Sequence, residues 1–149
     1  MNKSIYKFDH IEDIKKFIVG GNAIITLESK RTGRWFTYKI KTSKKIENSP
    51  FFVSVLTGTD NENSYTYMGI ILEKDRKLTF KRTAKSRITE DALSYKAFSF
   101  FFGLLNNNKI HPEMGVYHVG RCSVCGKVLT TVDSLKSGIG PYCKGKNKD

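Results

Sequence analysis

Apolar and polar residues alternate along this chain with two distinct periods. Ile11, Ile14, Phe17 and Ile18 recur at the three-to-four spacing of one helix face. Asp9 stands where an N-cap belongs, with Glu12 three residues on as its capping-box partner, and Gly20-Gly21 supplies the stop. The period then shortens to two. Residues 23–29 and 34–41 read as strands joined by the hairpin connection Lys30-Arg31-Thr32-Gly33. Residues 51–57 and 65–72 read as a second pair around the polar loop 58–64, and a turn at Lys74-Asp75-Arg76 leads into a fifth strand, 77–82. Helical spacing returns after Thr89-Glu90-Asp91, with Leu93, Ala97, Phe98, Phe101, Phe102 and Leu105, and ends in Asn106-Asn107-Asn108. Five strands in hairpin succession between helices predict an α+β domain, an antiparallel sheet flanked by helices, over residues 1–110. A small separate C-terminal module is expected over 111–149. No internal repeat or low-complexity tract interrupts this order.

Alternation also sorts the side chains by face. In 34–41, Phe36, Tyr38 and Ile40 share one side and Trp35, Thr37, Lys39 and Lys41 the other. The first set reads as core. The second reads equally as a stacking platform beside a phosphate track, or as a tryptophan buried under a helix. Tyr65 and Tyr67 alternate with Thr66 and Met68, and either set suits solvent. Leu78 and Phe80 oppose Lys77, Thr79 and Lys81, which gives the fifth strand a cationic side.

Charge changes the picture more than overall composition does. The 149 residues carry 26 Lys/Arg against 14 Asp/Glu, a net +12. Lys30, Arg31, Arg34, Lys39, Lys41, Lys44 and Lys45 form one cluster without an acid among them. Lys74, Arg76, Lys77, Lys81, Arg82, Lys85 and Arg87 form a second, interrupted only by Asp75, and Lys144, Lys146 and Lys148 a short tail. Such clustering is the footprint of a polyanion, most often nucleic acid. Of these, Lys30, Arg31, Arg34, Trp35, Lys39, Lys41, Lys77, Lys81 and Arg82 are the candidate nucleic-acid contacts, with a single strand favoured. Hydrophobic residues make up 39% of the chain, enough for a packed core. The longest aromatic run, 98–105, is far too short to span a membrane. With no export signal and no disulfide pattern, the expected location is a bacterial cytoplasm.

All three cysteines fall near the C-terminus. His118 precedes Cys122 by four residues, Cys125 follows Cys122 at CxxC spacing, and Cys143 closes Gly138-Ile-Gly-Pro-Tyr-Cys. Three soft thiolates and an imidazole form a tetrahedral set suited to structural Zn²⁺. Gly126 supplies a permissive turn just past the second ligand, and Pro141 fits the first turn of a helix bearing Cys143. His118 is the nearest fourth ligand, with His111 the runner-up and His10 distant but open. A redox CxxC usually sits in a βαβ context, absent here, and haem attachment fails because Gly126 follows Cys125.

Catalytic constellations are absent from the sequence. Gly120 stands where a zinc deaminase needs glutamate two residues after its histidine. No nucleophile elbow, phosphate loop or HExxH motif occurs. Glu12 with Asp13, and Glu90 with Asp91, read as helix-start acids. A non-enzymatic role is the expectation.

The stretch His118-x3-Cys122-x2-Cys125-Gly126-x2-Leu129-Thr130, with Ser134 and Gly138-Ile139-Gly140-Pro141-x-Cys143, resembles a small zinc-binding module of uncharacterised phage and bacterial proteins. That module occurs alone or appended to proteins that handle nucleic acid. The resemblance covers residues 118–145, and more loosely 21–102. Thr131-Val132 replaces the family's usual Asp-Pro. The resemblance implies zinc binding and a phage or mobile-element origin, and it supplies no established activity. Two functional expectations stand beside each other: a zinc-containing protein binding nucleic acid through basic sheet faces, and a phage effector that binds and inhibits a host or defence protein complex.

Overall fold

The computed structural model describes residues 6–43, 45–58, 64–75, 77–141 and 143. Its centre is a six-stranded antiparallel sheet in the order β5-β4-β3-β2-β1-β6. The strands are β1 (Asn22–Ser29), β2 (Trp35–Lys41), β3 (Phe51–Leu56), β4 (Tyr65–Lys74), β5 (Lys77–Lys81) and β6 (Met114–His118). Among the described residues the helices α1 (Ile11–Ile18), α2 (Leu93–Asn106) and α3 (Val132–Ser137) accompany them. The α+β antiparallel expectation is met, with one strand more than the five expected.

The first five strands form a meander, because each pairs with the strand before it in sequence. β6 then pairs with β1 on the far side of β2, with Ile25 opposite His118 and Leu27 opposite Val116. The chain therefore returns to the sheet's first edge, and the expected boundary after residue 110 falls ahead of a strand of the same sheet. Five residues with one glycine gave no clear alternation, and pairing with a buried strand is what makes them a strand.

One face of the sheet holds the core. Ala23, Ile25, Leu27, Tyr38, Ile40, Val53, Val55, Met68 and Val116 are all buried there. α2 covers it with a ladder of rings: Phe98 packs on Tyr38 and on Phe80, each at 4.8 Å. The Tyr38 hydroxyl donates to the Ser94 carbonyl at 2.6 Å, and burial raises its pKa. α1 lays Ile14, Phe17 and Ile18 on the same cluster. Its N-cap is His10 rather than Asp9, without a side-chain cap bond. α2 likewise starts later than the acids suggested, at Ala92, while the Thr89 hydroxyl donates to Asp91 and holds that carboxyl below its ordinary pKa.

Among the described residues no helix is long and apolar enough to cross a membrane.

Candidate metal centre and outer sheet face

After β6 the chain makes a tight knuckle. The Gly126 amide donates to the Cys122 carbonyl and the Cys122 amide to the Lys127 carbonyl, each at 2.9 Å. Gly126 sits at φ 79°, the left-handed conformation that the spacing asked of it. The amides of Val124 and Gly140 point at the Cys122 sulfur, at 3.4 and 3.3 Å. α3 begins with the Thr131–Ser134 capping box, with Thr131 as its N-cap. Cys143 follows Pro141 in helical backbone. This brings the Sγ atoms of Cys122, Cys125 and Cys143 within 4.8 Å of one another.

Three thiols this close are poised for a cation. Burial raises the Cys122 thiol, but hydrogen bonds from the Gly140, Cys125 and Val124 amides outweigh it and bring its pKa to about 7. Burial and the neighbouring thiols of Cys125 and Cys122 push Cys143 up to about 11. Like charges resist joint ionisation, and a bound metal ion at sulfur distances of about 2.3 Å removes that conflict. The donor set fits a metal ion that prefers sulfur.

His118 does not join them. Its side chain points into the core beside Val116 on β6, and it is 3% exposed. Nδ1 accepts from the Gly120 amide at 2.9 Å, which leaves the proton on Nε2 to donate to the Leu135 carbonyl. Both ring nitrogens are thus engaged, and Tyr6, Phe8 and Phe17 surround the ring. Burial lowers its pKa. His118 as a metal ligand is therefore corrected to a core histidine that ties β6 to α3. The alternatives fare no better. His111 accepts from the Glu113 amide and packs on Phe100, and His10 caps α1. Among the described residues the cysteines alone form the cluster.

The knuckle is docked on the sheet domain. The Asn22 amide donates to the Ser123 carbonyl at 2.7 Å, and a side chain at Gly20 would meet that carbonyl oxygen at 2.7 Å.

Trp35 lies on the outer sheet face and is not buried under a helix. The tryptophan is 57% exposed, on the side away from α1 and α2. Lys39 lies beside Ser54 and then Tyr67, and Lys41 beside Phe52, Ile70 and Lys81, across successive strands. Phe52 is 45% exposed. The Lys39 ammonium sits 4.2 Å over the Tyr65 ring. Met68 is buried, so Tyr65 and Tyr67 are the outward pair. Lys77 and Lys81 are exposed on β5. Lys30, Arg31 and Arg34 ring the β1–β2 turn.

Arg82 departs from this set: its Nε donates to the Ile88 carbonyl at 2.8 Å, and it braces the loop before α2. Lys44, Arg76, Lys144, Lys146 and Lys148 lie outside the described residues. Sequence reasoning passed over Lys7, Phe52 and Tyr117 on this face. Phe52 had a signal, since alternation sets it opposite the core residue Val53.

Residues 112–148 match the model of DUF6011, a family of unknown function. The match covers β6, the knuckle and α3, and leaves most of the sheet outside it. No curated protein and no solved structure matches the chain.

Proposed function

We propose that this protein binds single-stranded nucleic acid through the outer face of its sheet, while a structural Zn²⁺ on Cys122, Cys125 and Cys143 holds the C-terminal segment against β1. The carrying observation is Trp35, exposed on the same face as Lys39, Lys41, Phe52, Tyr67 and Lys81. Exposed aromatic rings gathered on one face mark an interaction site. Bases of an unpaired strand stack on such rings whatever their identity, and interleaved lysines neutralise the phosphates between them. Duplex DNA offers no free base faces to this surface. The net +12 then adds long-range attraction.

Fluorescence anisotropy with a labelled single strand of about a dozen nucleotides tests this. Affinity is expected to fall steeply with salt, with a slope near −0.7 per phosphate neutralised. Replacing Lys39, Lys41 and Lys81 by Gln together lowers that slope by about two. Lys16→Gln, at an exposed position of α1 away from this face, leaves it unchanged. Flat affinity between low and physiological salt sinks the reading.

A further inference from the structure

At the β6 end of the outer face the sheet opens into a pocket of about 320 Å³, lined by Tyr6, Thr26, Glu28, Trp35, Tyr117, His118 and Val119. This is near the lower bound for pockets that take small ligands. Trp35 stands opposite Glu28 on the paired strand. Thr26 lies between Thr37 and Tyr117, and its hydroxyl and that of Thr37 satisfy each other at 2.8 Å. The Tyr117 ring rests over Gly115, where any Cβ would come within 2.7 Å of it. From there its hydroxyl donates to Glu28 Oε1 at 3.1 Å. The carboxylate is thereby fixed in the wall between two aromatic side chains, and an ionised carboxylate accepts up to about four hydrogen bonds.

The rim is cationic. Lys7 pairs with Tyr117 across the sheet edge, and Lys30 opens the β1–β2 turn just past Ser29. The Lys7 ammonium lies close enough to Lys30 to lower its pKa. Two ammonium groups held this close are stabilised by an anion between them.

We propose that this pocket takes one base of the bound strand, preferring guanine, with the ring stacked on Trp35, the N1–H and N2–H donors on the Glu28 carboxylate, and the adjoining phosphate at Lys7 and Lys30. The proposal rests on the sheet-face reading above. Stacking accepts every base, so discrimination falls to the carboxylate. Guanine presents two adjacent donors on its pairing edge. Adenine and cytosine each present one donor beside a ring acceptor that a carboxylate repels, and thymine sets its single donor between two carbonyls.

Trp35 is the only tryptophan, so its emission reports this pocket directly. The probes are thymine-rich DNA strands of about a dozen nucleotides carrying one central dG, dA, dC or dT, and GMP alone. The dG strand is expected to bind at least about fivefold more tightly than the others, and to quench Trp35. GMP quenches it at higher concentration. Glu28→Gln removes the dG advantage and leaves the all-thymine strand unaffected. Replacing Lys7 and Lys30 by Gln weakens all strands alike and keeps the base ranking. A dG preference that survives Glu28→Gln, or tight salt-sensitive binding with unchanged Trp35 emission, overturns the pocket and leaves the sheet-face reading standing. If no strand binds but GMP quenches Trp35, the pocket stands as a nucleotide site and the sheet-face reading falls. If Trp35 responds to neither strands nor GMP, the pocket is overturned.

Discussion

His118 shows how one residue's meaning depends on which way its strand turns. Counting along the chain, it is the fourth member of a metal set; in space its neutral ring bridges Gly120 and Leu135 among aromatic rings. Protonation would place a second hydrogen on Nδ1, facing the Gly120 amide, and a charge in a buried site. Its folded pKa accordingly lies below the ordinary 6.5. In the window between the two values the unfolded chain binds the extra proton, so this group's stabilisation is complete above the ordinary value and is lost as pH falls through the folded one. Urea midpoints measured from neutral to mildly acidic pH should therefore drop less steeply in His118→Gln than in the parent. Both proteins keep the same cysteines, so the difference isolates the histidine. The same variant should retain its metal, and loss of metal with the histidine would restore it to the ligand set.

At the scale of elements, two glycines separate close approach from simple helix propensity. The α1–β1 turn passes so near the knuckle that an added Cβ at Gly20 meets Ser123 backbone, which cannot swing aside like a flexible side chain. Gly20→Ala should cost about 1–3 kcal/mol in chemical denaturation. Gly103 lies on the exposed side of α2 with nothing within 4 Å of such an atom. Gly103→Ala should therefore stabilise the protein by about 0.4–1 kcal/mol, because the unfolded chain loses freedom and no contact is disturbed. The strands were legible for a related reason: in β2 and β5 every second residue is apolar, and those residues face the core. The helix starts lie one to three residues past the caps that the local sequence favours. Asp9 and the Thr89–Asp91 acids suit caps locally, yet the caps observed are His10 and Ala92, set by where Ile14 and Phe98 meet the sheet.

For the whole molecule, the cysteine-bearing segment and the sheet are mechanically linked. β6 is an edge strand of the core sheet and leads directly into the knuckle, which hydrogen-bonds back to the start of β1. One metal ion per chain is expected on purification, as measured by elemental analysis. Cys122→Ser or Cys143→Ser should lose it, since removing one thiolate leaves two and ligand count dominates affinity. Hydrogen exchange should then rise across residues 120–139, while amides of β2, β3 and β4 in the sheet's middle stay protected. Unchanged protection of 120–139 after metal loss would mean that packing alone, through Cys122, Leu129 and Ile139, holds the segment.

The sequence by itself determined the alternation that makes the sheet, the apolar stripes of the helices, the cationic clusters and the cysteine spacing. Each is a local property, written in residues a few positions apart. Only the tertiary structure decided what depends on contacts between distant residues. It made β6 a sixth strand by pairing it with β1, and it turned His118 inward through that register. It left Trp35 in solvent because both long helices pack on the other face. It also carried Lys7, Glu28, Trp35 and Tyr117 to one end of the sheet, a juxtaposition that no spacing along the chain encodes.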